Sequence, residues 1–281
     1  MDFRYVVCDV FTDRPLTGNQ LAVFTDARAI PEPLLPLLAK EMNFSETVFV
    51  FPPRAGGHAR IRIFTPGREL PFAGHPVLGS AFVLGAPLQL ETIVLETGMG
   101  LVPIALQREG PRIVFGRMTQ PIPKIEAVAK PELILAALGG VKPVLPVERY
   151  DNGPGHVIVT LESPDQVARL SPDFAALARA TDDGISCLGG GGTRWKTRRF
   201  SPAHGVNEDP ATGSAAGPLA CHLLRHGRIS SGDEIEIAQG AEIGRPSTLY
   251  ARATGTREAI AAVEVGGSAV TVARGEFRLP T

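Results

Sequence analysis

The sequence predicts an α+β protein of two similar lobes, each a curled, mostly antiparallel sheet around a central helix. Three observations carry this. Short alternating stretches outnumber helical ones and are mostly joined by short turns, which suits antiparallel pairing. Residues 64–75 and 200–214 read as two versions of one device: Phe64-Thr65-Pro66 or Phe200-Ser201-Pro202, a polar turn, then a glycine-led apolar helix stopping at another glycine, Gly85 or Gly227. The chain has 281 residues, 44% of them hydrophobic, enough for two substantial cores.

Taken in order, Arg4–Val10 and Gln20–Phe24 alternate like strands around a turn-rich Thr12–Asn19. Pro31–Met42 carries Leu34, Leu35, Leu37 and Leu38 and reads as an amphipathic helix entered at a proline, with Pro36 blurring its start. Glu46–Phe51 and Ala59–Phe64 are strands, Val77–Leu84 is a short buried helix, and Thr92–Glu96, Leu101–Leu106 and Ile113–Met118 form a meander. Gln120–Lys130 is Pro-rich and poorly periodic, a linker that divides the chain into lobes at 1–120 and 121–281, with the last strand free to return to the first lobe. Then come a helix (Pro131–Leu138), strands (Val144–Arg149, His156–Leu161) and a helix at Pro164–Leu170 with Ser163 and Gln166 as a capping box. Phe174–Ala180 is helical, Ile185–Leu188 and Lys196–Phe200 are strands, Ala215–Arg225 is the second device's helix, and strands finish the chain.

A net charge of −1 argues against nucleic acid as a partner, and no apolar run is long enough to span a bilayer uninterrupted. The N-terminus lacks a signal-peptide h-region, so a cytoplasmic protein is expected. Cys8, Cys187 and Cys221 are widely spaced and odd in number, fitting buried hydrophobes and not disulfides. Gly189-Gly190-Gly191-Gly192 fails the dinucleotide pattern, because Arg194 stands where a third glycine is needed, and reads as a flexible loop. His222 and His226 lie at i, i+4 without the Glu of H-E-x-x-H, and no metal site is expected.

The chemistry concentrates at three points. Glu46 opens a stretch apolar on both faces, Phe44, Val48 and Val50 on its own side and Phe49 and Phe51 on the other. Burial there is expected to raise its pKa toward neutrality, as a general acid/base requires. His75 and Asp209 stand beside the two helix-start glycines, Gly74 and Gly213, and are expected to face one cleft between the lobes. A helix start offers unpaired N–H groups and a positive dipole end. Gly213 and Ser214 therefore suit a carboxylate, while the missing Gly-Lys-Ser/Thr ending excludes a P-loop. Asn152-Gly153-Pro154-Gly155-His156 is a turn within reach of ligand.

Asn43-Phe44-Ser45-Glu46-Thr47, Phe72-Ala73-Gly74-His75-Pro76 and Glu208-Asp209-Pro210-Ala211-Thr212-Gly213-Ser214-Ala215 together resemble the PhzF family of phenazine biosynthesis proteins, which share the two-lobed diaminopimelate epimerase-like fold. Arg62-Ile63-Phe64-Thr65-Pro66, Asn152-Gly153-Pro154, Arg194-Trp195 and the run from Gly213 to Ala220 resemble the family's phenazine-pathway enzymes in particular. The resemblance implies a homodimeric, cofactor-independent isomerase of trans-2,3-dihydro-3-hydroxyanthranilate. Glu46 would remove a ring proton next to the hydroxyl-bearing carbon and return one to the amine-bearing carbon on the same face. His75 and Asp209 would hold the hydroxyl and amine, Gly213 and Ser214 the carboxylate, and Gly74 would line the cleft. Epimerases of this architecture place a cysteine at each helix start. Here Cys221 lies about two turns inside its helix, so transfer by one base is favoured over inversion by two. The alternatives are an isomerase or epimerase of the same fold acting on another small amino or hydroxy acid, and a non-catalytic small-acid binder.

Overall fold

The computed structural model describes residues 2–279, which divide into two units, 2–119 with 266–279 and 120–265. In the first unit, Asp2–Val10 pairs antiparallel with Ala269–Arg278 and with Asn19–Phe24. From Asn19–Phe24 the sheet steps parallel to Glu46–Phe51, antiparallel to Ala59–Phe64, parallel to Thr92–Thr97, then antiparallel to Gly100–Glu109 and Arg112–Gln120. A parallel step needs a crossover. The helix Leu34–Met42 fills the first crossover and Gly74–Leu88 the second.

The second unit takes the same steps. Glu148–Asp151 is antiparallel to Gly155–Thr160, which is parallel to Gly184–Gly191; Arg194–Ser201 follows antiparallel, Glu234–Gln239 parallel and Ser247–Gly255 antiparallel. Pro164–Ala168 and Phe174–Ala180 fill its first crossover and Gly213–Arg225 its second. In both units a short return strand, Glu69–Leu70 or Val206–Asp209, folds back on the preceding strand just before the glycine-led helix. The repeated device is one connection used twice.

Each glycine-led helix is the centre of its unit. Gly74–Leu88 touches six strands, including both neighbours of Asp2–Val10, and its apolar residues face all round, as a helix enclosed by a sheet requires. Gly213–Arg225 is buried from Gly213 to Leu224 and packs on Gly155–Thr160 and Ser247–Gly255. The outer sheet faces are covered by the other helices. Leu35 and Leu38 close over Phe24, Phe49 and Phe64 in the first unit, and Ile134, Val167 and Leu177 over Val159, Ile185 and Phe200 in the second. Among the described residues no helix is long and apolar enough to cross a membrane.

Several elements differ from their sequence reading. Gly85 does not stop its helix, which runs to Leu88; a Cβ there would sit 2.7 Å from Leu106 Cδ1, so this glycine lets helix and strand approach. Gly227, at φ +65°, does follow the end of its helix as a left-handed cap. Three residues of the glycine tract are strand and not flexible loop: Gly189, Gly190 and Gly191 pair with Lys196, Trp195 and Arg194, because a backbone ladder needs no side chains, and Gly192 makes the turn. The Pro-rich stretch after Gln120 contains the strand Lys124–Ala127, paired with Glu148–Asp151. The expected strand Val144–Arg149 is confined to Glu148–Asp151. Ser163 caps its helix by accepting from Gln166 N, but Gln166 Oε1 accepts from Glu162 N, one residue before the position a capping box uses.

Candidate active site

In the first unit Glu46 is the opening residue of its strand, with Leu21 its partner in register, and its side chain is 16% exposed. His75 is the second residue of the Gly74 helix and is buried. Its Nε2 lies 3.4 Å from Glu46 Oε2, and its Nδ1 lies 3.3 Å from Asn19 Nδ2. Burial pushes the His75 pKa down to about 3, against a smaller opposing hydrogen bond to the Gln20 backbone. A neutral imidazole therefore faces the carboxylate, and the contact is not an ion pair. The arrangement sets one acidic group against a hydrogen-bonding ring fixed at a helix start. The N-cap residue, Ala73, has no side chain able to cap, so the first N–H groups of this helix receive no side-chain bond from it.

The second unit gathers Asp209, Gly213 and Ser214. Asp209 ends the return strand opposite Arg199. Its Oδ2 accepts from Thr212 Oγ1 at 2.5 Å. Thr212 is the N-cap residue, and its hydroxyl, turned toward Asp209, makes no capping bond. No capping bond from Thr212 therefore occupies the Ser214 N–H. Gln239 staples this turn: Nε2 donates to Asp209 O (2.7 Å) and Thr212 Oγ1 (3.0 Å), and Oε1 accepts from Thr212 N (3.1 Å).

The start of the Gly213 helix is held from below by a directional chain. An α-helical carbonyl normally accepts from the N–H four residues on, but Ser214 has Pro218 there, which carries none. Asn152 Nδ2 supplies the missing donor at 2.9 Å from Ser214 O. Arg199 Nη1 lies 2.8 Å from His156 Nδ1, and because guanidinium only donates, that nitrogen accepts. His156 Nε2 then carries the hydrogen and donates to Asn152 Oδ1 at 3.2 Å, which fixes the amide's orientation. Gln120 Nε2 adds a donor to Gly213 O at 2.8 Å. Burial lowers the pKa of Arg199 to about 10, opposed by the charges of Asp209 and Asp183, and burial also holds His156 well below its usual value.

Asn152 thus points into the protein, propping a carbonyl, where the sequence had suggested ligand contact. Gln120, Asn152, His156 and Gln239 were missed as supports; the signal that could have found one is Pro218, which announces an orphan carbonyl four residues earlier. A cavity of about 810 Å³ in the first unit, lined by Arg4, Phe82, Pro87 and Arg274 among others, includes none of the six candidate residues.

The twice-wound α+β chain thus carries a glycine-led helix start in each unit, one of them beside an acidic side chain. The model of the PhzC-PhzF family, described as phenazine biosynthesis-like protein, matches residues 8–275, and the chain belongs to this family. It is 52% identical over 276 residues to the trans-2,3-dihydro-3-hydroxyanthranilate isomerase of Pseudomonas aeruginosa, covering 98% of this chain and 99% of that protein. The protein of the same name from Pseudomonas fluorescens is 50% identical over the same shares. A Bacillus anthracis phenazine biosynthesis protein of the PhzF family, at 24% identity, superposes with a TM-score of 0.87 over 99% of this chain and 100% of that one, which shows the shared fold.

Proposed function

We propose that this chain is an isomerase of trans-2,3-dihydro-3-hydroxyanthranilate in phenazine biosynthesis, with Glu46 as its single acid/base. The observation that carries the reading is the half-buried Glu46 carboxylate held 3.4 Å from a neutral, buried His75 at a helix start. Asp209, Gly213, Ser214 and Gly74 serve the same substrate, the Gly213 and Ser214 N–H groups receiving its carboxylate. The protein works as a homodimer, without metal or organic cofactor in catalysis, in the cytoplasm.

The substrate's own bonding refines the proton transfer implied by the family resemblance. Its saturated ring carbons are 2 and 3, and the hydroxyl is on carbon 3. Only loss of the hydrogen on carbon 3 itself, not of a neighbour's, yields an enol. The C3–H electron pair then spreads through the two remaining double bonds to carbons 5 and 1. The amine-bearing carbon 2 is saturated and outside this system, so the returning proton goes to carbon 1, which carries the carboxylate. One C–H bond breaks at carbon 3 and one forms at carbon 1, which leaves the enol; loss of its O–H hydrogen and protonation of carbon 4 then give the ketone. The positions at carbons 3 and 1 lie on one ring face, so one carboxylate serves as base and then as acid.

The test is turnover in deuterated water. The expected result is loss of the ring's diene absorbance with hydrogen or deuterium delivered to carbon 1; an unchanged spectrum removes this substrate. Glu46→Gln keeps the shape and removes the titrating group. Turnover is expected to fall by about 10² or more while substrate affinity stays within about tenfold. Activity surviving in Glu46→Gln would unseat Glu46 as the base.

A further inference from the structure

At the other end of the Gly213 helix, His222 and His226 share one face, and the strand Glu148–Asp151 brings Glu148 against them. Glu148 is the partner that the sequence could not supply. Glu148 Oε2 lies 3.2 Å from His222 Nδ1 and 2.8 Å from His226 Nε2, and the three atoms all fall within 4.8 Å of one another. From these side chains we propose a second site in this protein: Glu148, His222 and His226 bind a divalent ion of the zinc class.

The donor set is two imidazole nitrogens and one carboxylate oxygen, the composition that suits Zn²⁺ while leaving a fourth position for water. With metal–ligand bonds of about 2.0–2.2 Å, the corners of a tetrahedral site stand about 3.3 Å apart. The carboxylate-to-imidazole spacings, 3.2 and 2.8 Å, are near that value, and the two imidazole nitrogens lie within 4.8 Å of each other. The surroundings orient each ligand as outer-shell partners do. His222 Nε2 lies 3.1 Å from Thr160 Oγ1, which lets it give its hydrogen there and turn the Nδ1 lone pair toward the ion. Glu148 Oε1 is held by Arg225 Nε at 3.3 Å, which leaves Oε2 as the ligand atom. Tyr150 OH stands 2.9 Å from Glu148 Oε2 and 3.2 Å from His222 Nδ1, placed to bond a water on the ion. Besides its own ligands, the charged group facing the site is Arg225, whose side chain is 38% exposed and can turn to solvent. Access is through Glu148 and His226, at 13% and 18% exposure, since His222 is sealed.

His222 is eight residues beyond Ser214, about 12 Å along the helix, so the ion stands apart from the helix start proposed to hold the substrate carboxylate. Its role is to fasten the helix to the strand that leads directly into Asn152. Bound Zn²⁺ is therefore expected to stabilise the second unit.

The experiment uses the full chain stripped with a chelator and then given Zn²⁺ alone, with bound metal measured by equilibrium dialysis. One Zn²⁺ per chain is expected, with a higher melting temperature. Co²⁺ in its place is expected to show the strong visible bands of a four-coordinate ion. Glu148→Gln and His226→Ala should each weaken uptake more than tenfold, and Thr160→Val by about tenfold. His204→Ala, in an exposed turn elsewhere, should leave uptake unchanged. Absence of saturable Zn²⁺ uptake and of Co²⁺ bands in the unaltered chain overturns the site, and so does equal uptake by the chain and its Glu148→Gln and His226→Ala variants. The unaltered chain's Co²⁺ spectrum decides the matter even if a variant fails to fold.

Discussion

Three buried histidines, His75, His156 and His222, have pKa values lowered chiefly by burial, and His75 reaches about 3. In the unfolded chain each titrates near 6.5. Between that value and the lower folded one, the unfolded state binds more protons, so acid favours unfolding. Their contribution to stability is complete above about pH 6.5 and drains away as pH falls toward the folded values, at up to about 1.4 kcal/mol per pH unit for each ring. The urea midpoint should therefore drop clearly between pH 7.5 and pH 5; a flat midpoint would mean that these rings are already protonated in the folded protein. The same burial makes His75 a neutral neighbour of Glu46, 3.4 Å away, and not its counter-charge. A reader of the sequence could place His75 beside a helix start but not know its depth, because depth comes from Asn19–Phe24 and Glu46–Phe51 packing over it.

The two glycine-led helices were legible because each follows a Phe-Thr/Ser-Pro strand end, and the structure turns that likeness into identical strand order. What lay beyond reach was support arriving from far along the chain. Asn152 and Ser214 are 62 residues apart, and nothing local ties them except the proline that removes a donor. Asn152→Ala should destabilise the protein by about 1–3 kcal/mol, the cost of a buried carbonyl without a donor, and lower kcat/KM through the loosened Ser214 N–H. Adding Pro218→Ala returns a backbone N–H four residues after Ser214 and should recover part of both losses, part only because His156 still lacks its acceptor. Thermal unfolding and kinetics of the two variants test this; a double variant worse than Asn152→Ala alone would contradict it. The glycine tract was read as a flexible loop because residues without side chains carry no facing pattern, even where Gly189, Gly190 and Gly191 pair through their backbone.

For the molecule as a whole, composition and element order were enough to give mixed α+β architecture with mainly antiparallel pairing, and the motifs were enough to give the family. The Glu148–His222–His226 group was not, because its carboxylate and first imidazole are 74 residues apart and meet only through the wrapping of sheet around helix. That wrapping also encloses Cys8 in one unit and Cys221 in the other, while Cys187 lies under the helices covering the second unit's outer sheet face, and burial pushes each thiol up to about 12. Thiols so enclosed and so weakly acidic do not react until the chain around them opens. Each unit consequently carries its own clock: with a disulfide reagent in excess, the label should reach Cys8 at the breathing rate of one half and the other two at that of its counterpart. Mass spectrometry of the peptides would read both rates in one tube, and prompt modification of all three under native conditions would show that no such clock exists.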